Sequence, residues 1–348
     1  MAVLKTTHSD GDVFYAGITT DTDKLNGIAT QINTDTLGVA EAIGFIETIF
    51  GDIVGSDIRQ IQLDTSVDET TNVDNTNTTA LWAGAGLDRW YFCDLIDNLD
   101  DSSIDASLWS NSGAVENTDS LTITSAGGTE YIYLDGASAP NLNQASECSL
   151  FYRAYVDTGA GTANFILQIA DESAHVVTIK NQSENWHPGT ELWEIRVRPG
   201  DNELDVYHDE VSLVADVDVS ALTDGDAWHI RLTVTGTGAS VIMYTIGWIG
   251  SSTASADLIT ETQTADSNSQ GGFLFDAVDS DTSNGGTHTP YYSSDIGANY
   301  VSGTFGKRIS TADYPGTGIK FKINGTSTAN TRGTWTKGTV LGVWSETT

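Results

Sequence analysis

The chain has 348 residues, of which 39% are hydrophobic, with 9 Trp, 12 Tyr and 10 Phe, so there is enough apolar material for packed cores and a disordered chain is excluded. Its 48 acidic residues against 15 basic ones leave a formal net charge of -33 and few clustered cations for phosphate contacts, which excludes free nucleic acid as a partner. No apolar run approaches the 18 or so residues of a membrane span, and the two cysteines, Cys93 and Cys148, are too few for a disulfide framework; two buried thiols are expected.

The opening stretch, "MAVLKTTHSDGDVFYAG", lacks the apolar core of a secretory signal and any twin arginine, so no export signal is expected. Residues 1–63 are read as a helical oligomerisation region. Ile18, Leu25, Ile32, Val39, Ile46 and Ile53 recur with heptad spacing, and Ile28, Ala42 and Ile49 occupy the companion apolar positions. Asp21, Asp35 and Ser56 interrupt that second series. Gly27, Gly38, Gly44, Gly51 and Gly55 each cost a helix about 1 kcal/mol relative to Ala, so two short amphipathic helices are the alternative to one coiled coil. Either form points to a homo-oligomer built through Leu25, Ile28, Ile32, Val39, Ile46, Ile49 and Ile53, a trimer favoured and a pentamer the alternative.

Residues 64–89 open with "DTSVDETTNVDNTNTTA", polar and nearly devoid of large apolar side chains, and read as a linker or arm. From 90 to 250 the texture changes to short alternating runs between Gly, Asp, Asn and Ser, among them "LTITSAGGTEYIYLDG", "LWEIRVRPGDNELDVYHDE" and "SVIMYTIGWIG". Runs of period two at this spacing predict an antiparallel β-sandwich of jelly-roll type. Residues 251–269, small and polar, read as a second linker, and 270–348 as a smaller C-terminal β module. The predicted fold class is therefore mainly β, with a short helical start.

The region 90–250 resembles the concanavalin A-like lectin and glucanase sandwich, including laminin-G-type modules. The likeness is carried by "DDSSIDASLW", "ELDVYHDEV" and "DVSALTDGDAWHIRLTVTGTG" with its ending "MYTIGWIG". Hydrolases of that family carry Glu, Asp and a second Glu on one strand face, where a retaining pair must stand about 5–5.5 Å apart. Here Glu203 and Asp205 share a face, but Tyr207 and Asp209 follow on it and Glu210 points the other way. The second acid is missing, so no catalytic residue is assigned and an enzyme is not expected.

Lectin members often bind calcium through loop Asp and Asn, so calcium is the one cofactor the resemblance suggests. "DAVDSDTSNGG" offers Asp279, Asp281 and Ser283 for it, although the bidentate Glu of a helix-loop-helix site is absent and an acidic turn is the plainer reading. For a glycan, Trp186 in the polar loop "NQSENWHPG" and Tyr207 are the candidate contacts; Trp193, Trp228 and Trp248 alternate with apolar partners and read as core.

Acid spread along the whole chain, with few lysines, resembles proteins of haloarchaea and their viruses. The order of parts, an oligomerising start followed by β modules, resembles fibre, spike and turret proteins of tailed viruses. That resemblance implies a virion location, made in host cytoplasm, with other virion proteins and a host-surface glycan or glycoprotein as partners. A glycan hydrolase and a non-viral surface adhesin are the alternatives, the second of which should carry an export signal.

The C-terminal end breaks the acidic habit. Residues 300–348 hold Lys307, Arg308, Lys320, Lys322, Arg332 and Lys337 against Asp313 and Glu346, a balance of +4, whereas the preceding residues carry -37. These cations are expected to face acidic protein surface, an exposed basic tip being the alternative.

Self-repulsion at this net charge strains a compact state, and at about 1 M salt the Debye length shrinks to about 3 Å. The thermal midpoint of the protein should therefore rise steeply from low to molar NaCl. A flat midpoint over that range would show that the acid is compensated locally.

Overall fold

The computed structural model describes residues 4–7, 13–16, 57–64, 72–84, 87, 89–99, 101–118, 120–134, 140, 148–157, 162–170, 179–181, 191–198, 203–218, 227–250, 253–274, 287–305, 307, 309–327, 333–336 and 339–346. Their regular structure is β throughout, and the strand ladders are antiparallel, as the alternating sequence predicts. The heptad residues Leu25 to Ile53 lie outside the described set. Residues 57–63, placed at the end of the helical region by sequence, instead belong to strand Asp57–Asp64, which pairs in register with Thr339–Glu346. Their alternation of Ile58 with Arg59 and Ile61 with Gln62 suits a ladder better than a heptad.

The central strands form one eleven-stranded sheet. Its spine is Ala227–Ile249. The first part of the spine pairs with Thr162–Ala170, the second with Cys148–Asp157, and Leu121–Leu134 runs along its other edge. Register shifts between Thr235, Thr237 and Ser240 break the ladder, as bulges do where a strand bends. On the inward face Leu121, Ile123, Ile132, Leu134, Leu150, Ile195, Leu204, Met243 and Ile246 are fully buried. Trp193 belongs to this core as expected, stacked between Tyr152 and His208.

A second unit is assembled from both sides of this sheet in sequence. Asp57–Asp64 joins Ala254–Ile259, Gln263–Leu274, Thr287–Ser293, Gly316–Ser327 and Thr339–Glu346 in an eight-stranded sheet. Leu81–Trp82, Arg89–Tyr91 and Thr334–Thr336 form a small third sheet, with Trp90 opposite both Trp82 and Trp335. The described residues of 64–89 and 251–269, read as linkers from sequence, are therefore structural, and Ala80, Leu81, Trp82 and Ala83 among them are core. Thr78 Oγ1 and Thr79 Oγ1 accept from the backbone of Ile259 and Asp257, and Val73 bridges Thr260. Hydroxyls that look like linker composition here satisfy the edge of strand Ala254–Ile259.

Residues 80–83 and 90–93 form a wall shared by two cores. Ala80, Trp82, Trp90 and Phe92 enter one with Leu258, Tyr292, Phe321, Ile323 and Trp335. Leu81, Ala83, Tyr91 and Cys93 enter the other with Phe151, Leu192, Ile249 and Ala254. Successive side chains of a strand point to opposite faces, so one short stretch feeds both. Cys93 and Cys148 are buried and not joined in a disulfide, and burial, then the Asp94 charge, push the Cys93 thiol well above its ordinary range.

The wall is received by a glycine on each side. A Cβ at Gly325 would lie 2.0 Å from the Phe92 ring, and one at Gly247 would lie 2.4 Å from Cys93 Sγ. Gly325→Ala and Gly247→Ala should each cost about 1–3 kcal/mol by overpacking, read as a lower urea midpoint. Unchanged midpoints in both would show that the wall shifts freely.

Candidate functional site

The polar face of the central sheet holds the acid pattern. Strand Glu203–His208 turns through Asp209 and Glu210, both left-handed with φ 46° and 66°, into Val211–Asp218. This is the backbone of a two-residue hairpin loop with positive φ at both centres, occupied here by two acids instead of Asn-Gly. Asp209 settles it: its N–H donates to Leu192 O at 2.9 Å and its Oδ1 accepts from Leu192 N at 3.0 Å.

Register sets Arg196 opposite Asp205 and Ser149, and Glu194 opposite Tyr207. Cross-strand partners share a face, so Ser149, Glu194, Arg196, Asp205 and Tyr207 stand together. Glu194, 7% exposed, accepts from Ser149 Oγ at 3.0 Å and Arg196 Nε at 3.2 Å. Asp205, 3% exposed, accepts from Tyr207 OH at 3.5 Å, and the Arg196 guanidinium lies 4.5 Å from the Tyr207 ring centre. Glu210 accepts from Arg89 Nη1 at 2.8 Å and from Tyr91 OH. Burial, then the Glu210 charge and hydrogen bond, push the Tyr91 phenol far above its ordinary range, so it remains a donor. The apolar end of the face is closed by the wall, and Arg153 Nη1 donates to Trp82 O at 3.5 Å.

Glu194, Asp205 and Glu210 are thus each held by a neighbouring donor. A retaining pair needs two carboxyl groups about 5–5.5 Å apart and open to a substrate; Glu194 and Asp205 are buried, and Glu210 is exposed but paired with Arg89. Of the sequence candidates, Tyr207 joins this cluster, while Trp186, Asp279, Asp281 and Ser283 lie outside the described residues. Glu194, Arg196, Arg89 and Tyr91 escaped the sequence reading, and Glu210, set aside there as facing away, here meets Arg89 and Tyr91. The legible signal was Glu194 and Arg196 at alternate positions of the otherwise apolar "LWEIRV".

Two of the C-terminal cations meet acids of their own chain. Lys320 Nζ pairs with Asp74, both buried. Burial alone would raise the Asp74 carboxyl, but hydrogen bonds from Lys320 and Asn77 and the Lys320 charge hold it below its ordinary range. Lys322 Nζ lies 3.1 Å from Asp257 Oδ2 and 4.5 and 4.9 Å from the ring centres of Tyr291 and Tyr300. Lys307 is exposed, and Arg308, Arg332 and Lys337 are outside the described residues.

The acidic entry motif folds around Asp97. Its Oδ2 accepts from Trp109 Nε1 at 2.7 Å and its Oδ1 from Leu99 N at 2.9 Å. Glu116, 8% exposed, accepts from Asp101 N at 3.3 Å. Burial, the Asp101 carboxyl and the Asp97 charge push the Glu116 carboxyl up to about 6. Among the described residues no three His, Cys, Asp or Glu side chains are grouped to hold a metal ion.

No family model and no curated protein matches this chain. Among solved structures, a sialidase is similar at TM-score 0.35 and 9% identity over 50% of this chain, which spans 19% of that one. The Emp47p carbohydrate recognition domain gives TM-score 0.32 and 10% identity over 45% of this chain and 94% of its own. The catalytic domain of an endo-1,3-beta-glucanase (laminarinase) from Thermotoga petrophila RKU-1 gives 0.35 and 10% over 45% and 97%. The neighbours thus include lectin and glucanase sandwiches, and at TM-scores this low their activities carry no weight for this chain.

Glu116 makes a pH signature. Its folded carboxyl titrates near 6 against an ordinary 4.5, so between these values the folded state holds a proton that the unfolded state has lost. Its contribution to stability is greatest below pH 4.5 and falls as pH rises through 6. Glu116→Gln should remove that slope and raise stability at pH 7 by about 1–2 kcal/mol, measured by urea unfolding across pH. Identical pH profiles for the two proteins would refute the assignment.

Proposed function

We propose that this protein is a non-catalytic structural subunit of a virus particle, a fibre, spike or turret, whose lectin-like sheet serves host-surface attachment or outer-shell architecture. The observation that carries the non-catalytic part is the state of the polar face. Glu194, Asp205 and Glu210 are committed to Ser149, Arg196, Tyr207, Arg89 and Tyr91, and the second unit's wall closes the adjoining end. A face built this way holds one β unit firmly against another, which suits a load-bearing surface protein better than a cleft enzyme.

The setting is argued from composition. A net charge of -33 spread along the chain suits a protein working in brine, and the apolar heptad from Leu25 to Ile53 suits assembly as a homo-oligomer, three copies favoured. Trp186 and Tyr207 are the sequence-derived glycan contacts of this reading, with Asp279, Asp281 and Ser283 as its calcium ligands.

Full-length protein incubated with haloarchaeal cell envelopes in molar salt should co-sediment with them and release no reducing sugar. Glu203→Gln should behave identically. Sugar release by the wild type that disappears in Glu203→Gln would replace this proposal by the hydrolase, and failure to co-sediment would remove the attachment role.

A further inference from the structure

The entry motif "DNLDDSSIDASLW", residues 97–109, reaches strand Ala114–Glu116 through the bond from Asp101 N to Glu116 Oε1 at 3.3 Å. Its two ends are fixed elsewhere. Asp97 holds the Trp109 indole and the Leu99 N–H, and its carbonyl accepts from Thr245 Oγ1 at 3.2 Å. Asp105 O accepts from Leu108 N at 3.0 Å and Trp109 N at 2.8 Å. Between these anchors the chain turns through Leu99 and Ser102 at φ 55° and 65°, the left-handed region that L side chains rarely adopt. Leu99 is fully buried, whereas Asp101, Ser102 and Ser103 are exposed. A segment anchored at its ends and strained between them depends on the contact at its centre.

That contact is made by a carboxyl in an unfavourable place for a charge. Glu116 is 8% exposed, and its Oε2 is buried without a hydrogen-bond partner among the described residues. Its register partner is the buried, apolar Leu121. The neighbouring charges that act on it are those of Asp101 and Asp97, both acidic. Asp100 of the same run lies outside the described residues. An ionised Glu116 therefore meets burial and two like charges, and the Asp101 N–H that favours its charge does not outweigh them. A neutral Glu116 escapes that penalty, and its O–H becomes a donor that the Asp101 carboxylate can accept.

We infer that residues 97–109 form a proton-latched clasp, shut while Glu116 is neutral and opening at Asp101 when Glu116 ionises. The sign follows from the raised carboxyl, which keeps its proton below about pH 6 and loses it above. Acid shuts the clasp, and rising pH opens it. Opening takes the Asp101 N–H off Glu116, lets Leu99 and Ser102 leave the left-handed region, and admits water to the facing carboxylates. The clasp is independent of the attachment proposal.

The test is hydrogen exchange read by mass spectrometry on the full-length protein in molar salt, with intrinsic rates divided out. Between about pH 5 and about pH 8 the amides of residues 98–109 should lose about tenfold in protection, since one pKa unit is a factor of ten. The midpoint of that loss should lie near 6. Peptides from strand Cys148–Asp157 should keep their protection. Glu116→Gln, which stays neutral, should hold the segment protected throughout. Asp101→Asn, which removes one of the two like charges, should move the midpoint down.

Constant protection in the wild type, the same fall in Glu116→Gln, or a fall shared by Cys148–Asp157 would overturn the clasp. If a variant does not fold, the wild-type profile decides alone, because a fall confined to residues 98–109 and centred near 6 is the signature of this carboxyl.

Discussion

The structure depends on the wall made by residues 80–83 and 90–93. Its side chains alternate between two cores, with Trp82, Trp90 and Phe92 on one side and Leu81, Tyr91 and Cys93 on the other. Burying one such large apolar side chain contributes about 1.5–3 kcal/mol, so both units draw on the same short stretch. The wall lies between Gly325 and Gly247, where any side chain would intrude on Phe92 or Cys93. Removing it would expose the apolar faces of two sheets at once.

From this contact follows the placement of the polar groups. Tyr91 faces the central sheet because Trp90 and Phe92 face the other way, and its hydroxyl meets Glu210 there alongside Arg89. The hairpin turn is held with two acids at positive φ, a conformation that favours Gly or Asn. Its cost is offset by the Asp209 bonds to Leu192 and by the Glu210 pairing across to the wall. The same logic appears at Asp74, whose buried carboxylate answers Lys320 from the far end of the chain. Breaking a buried pair of this kind by removing one partner costs about 3–5 kcal/mol, because the remaining charge is stranded.

In a chain so rich in acid, four cations among the described residues pair with nearby carboxylates. Arg196, Arg89, Lys320 and Lys322 each sit on a carboxylate of another strand or turn, or of their own strand in the case of Arg196 and Glu194. Lys320 and Lys322 meet acids from residues 74 and 257, so the basic habit of the C-terminal strand has a counterpart within the same chain. Buried pairs are screened less by salt than exposed ones, so the Lys320–Asp74 contact should be the least sensitive of these to ionic strength.

The alternation of apolar and polar residues between 90 and 250 was enough to give antiparallel β structure, because strand period is a local property of the chain. It was also enough to place Trp193 in a core and to put Asp205 and Tyr207 on one face, to which the neighbouring strand then adds Glu194. Tertiary structure decided what that face meets. "ALWA" and "RWYFC" carry almost no polar alternation, since both sides are buried, and so they announced neither a boundary nor a partner. Their strands find Trp335 more than two hundred residues later, and Thr78 and Thr79 find strand Ala254–Ile259. Pairings between segments so distant along the chain depend on shape and hydrogen-bond completion in space, which no window of sequence contains.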